Sequence, residues 1–282
     1  MKPGTLVSVD EFRSLLGRDD VLVIDCRFEL RDAQRSAQDY AAGHIAGAVY
    51  ADLDRDLSDL TKVGLGRHPL PDASAFSASL GRWGWTARKR VIAYDNAGGV
   101  LAASRLWWML RLIGHDDVAV LDGGLAAWTD AGMPVESAAM TPAPTSVAAQ
   151  FDADQIVYTE ELQQRRDSVF LLDARAAPRF RGEVEPLDAV AGHVPGAANR
   201  PFSENLADGT RFKAPALLRA EFSALLGDVA PERVVHMCGS GVTACHNLLA
   251  MEVAGLHGSR VYAPSWSGWL HDRERPVATG DA

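Results

Sequence analysis

The chain states one fold twice. Val21-Leu22-Val23-Ile24-Asp25-Cys26-Arg27, followed by Ala42-Gly43-His44-Ile45-Ala46-Gly47-Ala48, returns as Val169-Phe170-Leu171-Leu172-Asp173-Ala174-Arg175, followed by Ala191-Gly192-His193-Val194-Pro195-Gly196-Ala197. The Asp-to-His spacing is 19 residues in the first copy and 20 in the second. Arg90-Val91-Ile92-Ala93-Tyr94-Asp95 matches Arg233-Val234-Val235-His236-Met237-Cys238. Each then leads through a helical stretch, a glycine (Gly114 or Gly255) and another strand to a tryptophan, Trp128 or Trp269. An internal repeat about 140 to 148 residues apart, in a chain of 282, predicts two tandem domains of similar build.

Within each copy, short β-branched runs alternate with amphipathic or apolar helical stretches. Val91 to Tyr94 and Val118 to Leu121 read as strands; Leu101 to Ile113 and Ala214 to Leu226 have helical periodicity. This alternation predicts an α/β fold, each domain a mainly parallel central sheet flanked by helices. Met140 to Ala149, with Pro142, Pro144 and small residues, reads as a linker. The expected organisation is a first domain over 1–139, a linker over 140–152 and a second domain over 153–282.

A net charge of −9 and the lack of any Lys/Arg run argue against nucleic-acid binding. No apolar run approaches the roughly 20 residues of a membrane helix, and Met1 to Val9 has no signal-peptide pattern. Three cysteines, Cys26, Cys238 and Cys245, are too few for a disulfide framework. A reducing cytoplasm is the expected location.

The chemistry concentrates at Cys238. It ends an apolar strand and opens Cys238-Gly239-Ser240-Gly241-Val242-Thr243-Ala244, which leads into a helix from Thr243. Such a turn points backbone N–H groups and the positive end of a helix at the sulfur, which favours the thiolate and makes it a nucleophile. The first copy has Asp95 at the same place. A carboxylate cannot do thiolate chemistry, so only the second domain is expected to be catalytic.

Other chemistries fit less well. Gly239 to Ala244 matches a dinucleotide fingerprint, but Ser259-Arg260 stands where an acidic strand end is needed. A cysteine phosphatase needs an arginine where Ala244 stands. His236, Cys238, Cys245 and His246 lack zinc-site spacing, so no metal is expected. Gly43-His44 and Gly192-His193 recur in the copy without a thiol, so these histidines read as turn caps. Trp107 and Trp108 read as core, and Cys26 and Cys245 as packed.

These residues together resemble the tandem-domain rhodanese-like sulfurtransferases, and most closely the 3-mercaptopyruvate branch. The resemblance spans nearly the whole chain. It rests on Asp25-Cys26-Arg27, Gly43-His44-Ile45, Trp107-Trp108-Met109-Leu110-Arg111, Leu121-Asp122-Gly123-Gly124-Leu125, Arg179-Phe180-Arg181-Gly182, Gly192-His193-Val194-Pro195-Gly196 and Cys238 to Ala244. It implies two rhodanese-like domains, an inactive one first. It also implies sulfur transfer from a small-molecule donor, through a Cys238 persulfide, to cyanide or a thiol acceptor such as thioredoxin, with no cofactor. Neutral Gly239 and Ser240 follow the mercaptopyruvate pattern, whereas thiosulfate enzymes carry basic residues there. A thiosulfate:cyanide sulfurtransferase and a non-enzymatic persulfide carrier are the alternatives.

The resemblance also implies roles. Cys238 is the nucleophile, and Gly239, Gly241, Val242 and Thr243 cradle sulfur and substrate. Ser240 works with His68 as proton shuttle and Asp59 as its orienter; Asp54 and Asp56 are alternative partners for His68. Arg179 binds the donor carboxylate. The family's second arginine is replaced here by Leu187, in Val184-Glu185-Pro186-Leu187-Asp188, with Arg175 or Arg181 as possible substitutes.

Overall fold

A computed structural model describes residues 5–30 and 32–281. The chain divides into two units. The first comprises residues 5–30, 32–59, 71–152 and 210–212; the second comprises 60–70, 153–209 and 213–281. Segment 60–70, near the middle of the first repeat, therefore groups with the second unit. Segment 140–152 has no helix or strand, yet it is fastened to the first unit. Thr145 N–H donates to Gly81 O at 3.0 Å, Ala149 N–H to Ser77 Oγ at 3.0 Å, and Asp152 N–H to Leu112 O at 2.7 Å.

The first unit has strands β1 (Leu6–Val7), β2 (Val21–Asp25), β3 (Val49–Tyr50), β4 (Arg90–Tyr94) and β5 (Val118–Leu121). They form one parallel sheet in the order β1-β5-β4-β2-β3. Its helices are α1 (Val9–Leu15), α2 (Ala33–Ala42), α3 (Ala73–Arg82), α4 (Ala102–Leu112) and α5 (Gly124–Asp130). The second unit repeats the plan with β6 (Ile156–Val157), β7 (Phe170–Asp173), β8 (Ala198–Asn199), β9 (Val234–Met237) and β10 (Arg260–Tyr262), ordered β6-β10-β9-β7-β8 and again parallel. Helices α6 (Thr159–Arg165), α7 (Ala177–Phe180), α8 (Pro215–Leu226), α9 (Ala244–Val253) and α10 (Ser265–Trp269) complete it.

The inner strands are nearly uninterrupted apolar runs because both faces of a parallel sheet are covered. On β9, Val235 and Met237 join a core with Phe180, Tyr262, Trp266 and Trp269. Helices α4 and α9 are buried on almost every side, Trp107, Trp108 and Cys245 included, which accounts for their apolar character all round. Chain order places the reversal between β7 and β9: β7 continues outward to β8, and β9 continues the other way to β10. The carboxyl ends of strands at such a point open the crevice where α/β sheets hold ligands.

His236, fully buried on β9, has Nε2 3.1 Å from Ser259 Oγ, and burial lowers its pKa to about 3. The folded protein keeps this imidazole neutral, while the unfolded chain protonates it below about pH 6.5. Its contribution to stability is therefore whole above pH 6.5 and lost progressively as the pH falls towards 3, at about 1.4 kcal/mol per pH unit. Denaturant unfolding of wild type and His236→Leu between pH 7 and 5 checks this. The variant is expected to lose less stability on acidification, and parallel losses would refute it.

Candidate active site

Four segments of the second unit converge at the crevice. The first is the turn after β9. Cys238 is 2% exposed and its Sγ accepts the N–H of Gly241 at 3.2 Å. Gly241 has φ +77°, the left-handed conformation that carries its N–H back over the sulfur and that glycine adopts without strain. Val242 is buried, and Thr243 leads into α9, whose amino end points into this turn. Cys245, in the first turn of α9, directs its thiol to Gly241 O at 3.4 Å.

The second segment fixes the loop from behind. Cys238 N–H donates to Ser265 Oγ at 3.1 Å, Trp266 N–H to Cys238 O at 3.0 Å, and Ser267 N–H to Gly239 O at 2.9 Å. Ser265 has φ +52°, the one non-glycine residue with positive φ among those described. Such a backbone costs on the order of 1–3 kcal/mol and persists where its surroundings require it. Its hydroxyl both receives the Cys238 N–H and donates to Tyr262 O at 3.0 Å. The sequence reading missed Ser265. The only signal is that the first copy has Gly124 at this place, with φ +59°.

Segment 60–70 supplies the third group. His68 is buried, with Nδ1 2.8 Å from the Oγ of buried Ser240. The Arg67 N–H donates to Ser267 Oγ at 3.0 Å, which ties this segment to α10 behind the cysteine loop. Asp59, half-buried, is counted with the first unit. Asp54 N–H turns back on Asp52, and buried Asp56 pairs with Arg55 at 2.8 Å and Arg82 at 2.5 Å, so its carboxylate is already engaged.

The fourth segment follows β7. Arg175 forms a buried pair with Asp173 (2.7 Å), donates to Gly192 O at 2.6 Å and lies over the Trp266 ring at 4.6 Å. Arg181 pairs with Glu183 at the surface. Arg179, on α7, is held by Glu185 through Nε (3.0 Å) and Nη2 (2.7 Å), and its Nη2 also reaches Asp188 Oδ2 at 3.2 Å. The other Asp188 oxygen is paired with Arg67 Nη1. Both guanidiniums lie against the cysteine loop: a Cβ added to Gly239 would stand 2.9 Å from Arg67 Nη2 and 3.6 Å from Arg179 Nη2.

Burial pushes the Asp188 carboxyl up, with the Arg67 charge opposing. For Glu185 the same burial is outweighed by hydrogen bonds from Arg179 and the Leu187 and Asp188 N–H groups, which hold it below the usual carboxylate range. Arg67, unmarked in the sequence except as the neighbour of His68, is thus a second cation at the site. Leu187 is exposed nearby and has no group to offer an anion.

Both repeated histidines serve structure. His193 stacks on Phe180 (3.8 Å between centroids) with Nδ1 2.8 Å from Phe180 O, and His44 stacks on Tyr40 (4.0 Å) with Nδ1 2.7 Å from Tyr40 O. In the first unit the carboxylate of Asp95 fills the loop. Its Oδ1 accepts the N–H groups of Ala97 (2.9 Å) and Gly99 (2.8 Å), and Oδ2 those of Leu101 (3.1 Å) and Ala103 (3.4 Å).

The rhodanese-like domain family matches this chain twice, over residues 8–131 and 158–272. A relative from Pseudomonas aeruginosa, described as a probable 3-mercaptopyruvate sulfurtransferase, is 46% identical over the whole of both chains. A putative thiosulfate sulfurtransferase, SseB, from Mycobacterium tuberculosis is 40% identical over 94% of this chain and 93% of its own. Among solved structures, SseA from Escherichia coli, a 3-mercaptopyruvate sulfotransferase, superposes with a TM-score of 0.79 at 32% identity, covering 93% of this chain and 99% of that one.

Proposed function

The chain belongs to the rhodanese-like family in tandem form, and from that premise we propose that it is an enzyme transferring sulfur from 3-mercaptopyruvate to a nucleophilic acceptor through Cys238. The observation that carries this reading is the Cys238 loop: a buried thiol with a backbone N–H on its sulfur, neutral residues beside it, and two guanidiniums against Gly239. No helix among the described residues is long and apolar enough to cross a membrane.

In the first half-reaction the Cys238 thiolate attacks the thiol sulfur of the donor. The S–S bond forms as the donor's C–S bond breaks, and that electron pair passes to carbon as the enolate of pyruvate. The donor's thiol proton ends on that carbon, so Cys238 persulfide and pyruvate form with no external oxidant or reductant. Ser240 and His68, 2.8 Å apart, are the groups to move the proton, with Asp59 orienting His68. Gly241 N–H, on the loop with Gly239, Val242 and Thr243, stabilises charge on the sulfur in thiolate and persulfide alike. Arg179 binds the donor carboxylate by charge-assisted hydrogen bonds.

In the second half-reaction an acceptor thiolate or cyanide attacks the outer sulfur and Cys238 leaves as thiolate. Dividing the transfer in two makes the kinetics ping-pong. A small thiol or a dithiol protein of the thioredoxin kind is the proposed acceptor, in a cytoplasmic setting.

Steady-state turnover on 3-mercaptopyruvate and thiosulfate in parallel tests the donor. A kcat/KM for 3-mercaptopyruvate about 100-fold higher or more is expected, since one or two donor-specific contacts are worth that much. Preference for thiosulfate would overturn the donor assignment and leave sulfur transfer standing. Persulfide loading without turnover of either would overturn the enzyme reading in favour of a carrier.

A further inference from the structure

We infer that Arg67 and Arg179 form a two-arginine clamp for the donor's carboxylate, and that the Asp188 carboxylate occupies this clamp until the donor displaces it. The inference rests on the proposed 2-oxo-acid donor.

The geometry is that of a carboxylate site already holding a carboxylate. Asp188 offers one oxygen to Arg67 Nη1 and the other to Arg179 Nη2, so two cations from distant parts of the sequence converge on one planar anion. That is how a small carboxylic acid is gripped with orientation as well as charge. The clamp adjoins the nucleophile's own loop, at Gly239. Arg67 still has donor capacity to spare: its buried Nε has no hydrogen-bond partner.

Around the clamp, Arg67, Arg175 and Arg179 face Asp173, Glu185 and Asp188, three charges of each sign. An anion added to that balance gains little. An anion that replaces Asp188 inherits both guanidiniums while Glu185 still holds Arg179 in place. Asp188 can leave, because 183–191 has neither helix nor strand and exposes Val184, Leu187 and Val190. The arrangement also explains how the site dispenses with an arginine at Leu187: the second cation enters from segment 60–70.

Kinetics with 3-mercaptopyruvate and calorimetric titration of pyruvate, each on wild type, Arg67→Gln, Arg67→Lys and Asp188→Asn, test the clamp. Arg67→Gln is expected to raise KM about 10- to 100-fold with kcat nearly unchanged, the signature of lost uniform binding, and to weaken pyruvate binding alike. Arg67→Lys recovers part of both effects. Asp188→Asn removes the competing carboxylate and lowers KM several-fold. Turnover with KM unchanged in Arg67→Gln, or a KM raised by Asp188→Asn, overturns the clamp and leaves the donor reading intact. Wild type that fails to turn over 3-mercaptopyruvate, yet binds pyruvate through Arg67, supports the clamp and overturns the donor reading.

Discussion

Cys238→Ser is expected to lower turnover of 3-mercaptopyruvate on the order of 10⁴-fold or more, as removal of a covalent nucleophile does. Serine can still accept the Gly241 N–H, so the loop and the fold should survive the change. What it cannot do is carry the transferred sulfur. The other thiols offer no substitute. Cys26 is fully buried in the first unit, with its pKa pushed well above the ordinary thiol range by burial and by the charges of Asp25, Asp95 and Asp56. Cys245 is buried on α9 with its thiol turned to a backbone carbonyl. Mass spectrometry after a single exposure to donor should find wild-type protein heavier by one sulfur atom and the variant unchanged. Substantial residual activity would place the nucleophile elsewhere and end the mechanism given above.

The second large effect is on stability. Asp173→Asn is expected to cost about 3–5 kcal/mol, the loss typical when one partner of a buried ion pair is removed. Asp173 accepts the Arg175 backbone N–H at 2.9 Å and its Nη2 at 2.7 Å, and both side chains are excluded from water. The same Arg175 reaches Gly192 O, so it also ties the start of the His193 turn to the end of β7. With asparagine in place, the buried guanidinium keeps only its longer contact with Glu185, Nη1 to Oε2 at 3.5 Å. Denaturant unfolding of the whole chain, followed by tryptophan fluorescence, measures the cost. Two units need not unfold together, so the transition of the second unit is the one to compare. A shift of under 1 kcal/mol would mean that water or Glu185 takes over the charge.

That pair shows what the sequence could reveal. Asp25-x-Arg27 and Asp173-x-Arg175 recur, and the recurrence led to the tandem organisation; in each copy the pair closes a strand end and reaches a glycine carbonyl, Gly43 or Gly192. The three inner strands of each copy (β2, β4 and β5; β7, β9 and β10) were equally legible, because parallel strands must be apolar on both faces and so stand out from their surroundings, whereas the two-residue strands β1, β3, β6 and β8 are too short to do so. The Cys238 loop was legible because a strand, a thiol, a glycine-rich turn and a helix are contiguous. Contiguity is also where the reading stopped. The missing arginine was sought near Leu187, at Arg175 and Arg181, since sequence neighbours are the natural substitutes. Both are engaged, with Asp173 and with Glu183. Arg67 comes from a segment that folds with the other unit's residues, and no local pattern announces such a transfer. Nor could Ser265 have been found, because a serine in a left-handed backbone has no sequence signature beyond its alignment with Gly124.

Asp95 shows how a loop of this kind keeps its shape without a thiol. A loop of converging N–H groups is a liability when its anion is lost, because buried donors without an acceptor destabilise the fold. The first unit resolves this with an anion that cannot diffuse away or be oxidised: a carboxylate attached to its own backbone, satisfying four donors at once. A carboxylate at the thiol position thus leaves the loop's donors satisfied and the unit's architecture whole. The first unit's loop therefore rests on chemistry contained wholly within its own backbone and side chain, and asks nothing of a solute.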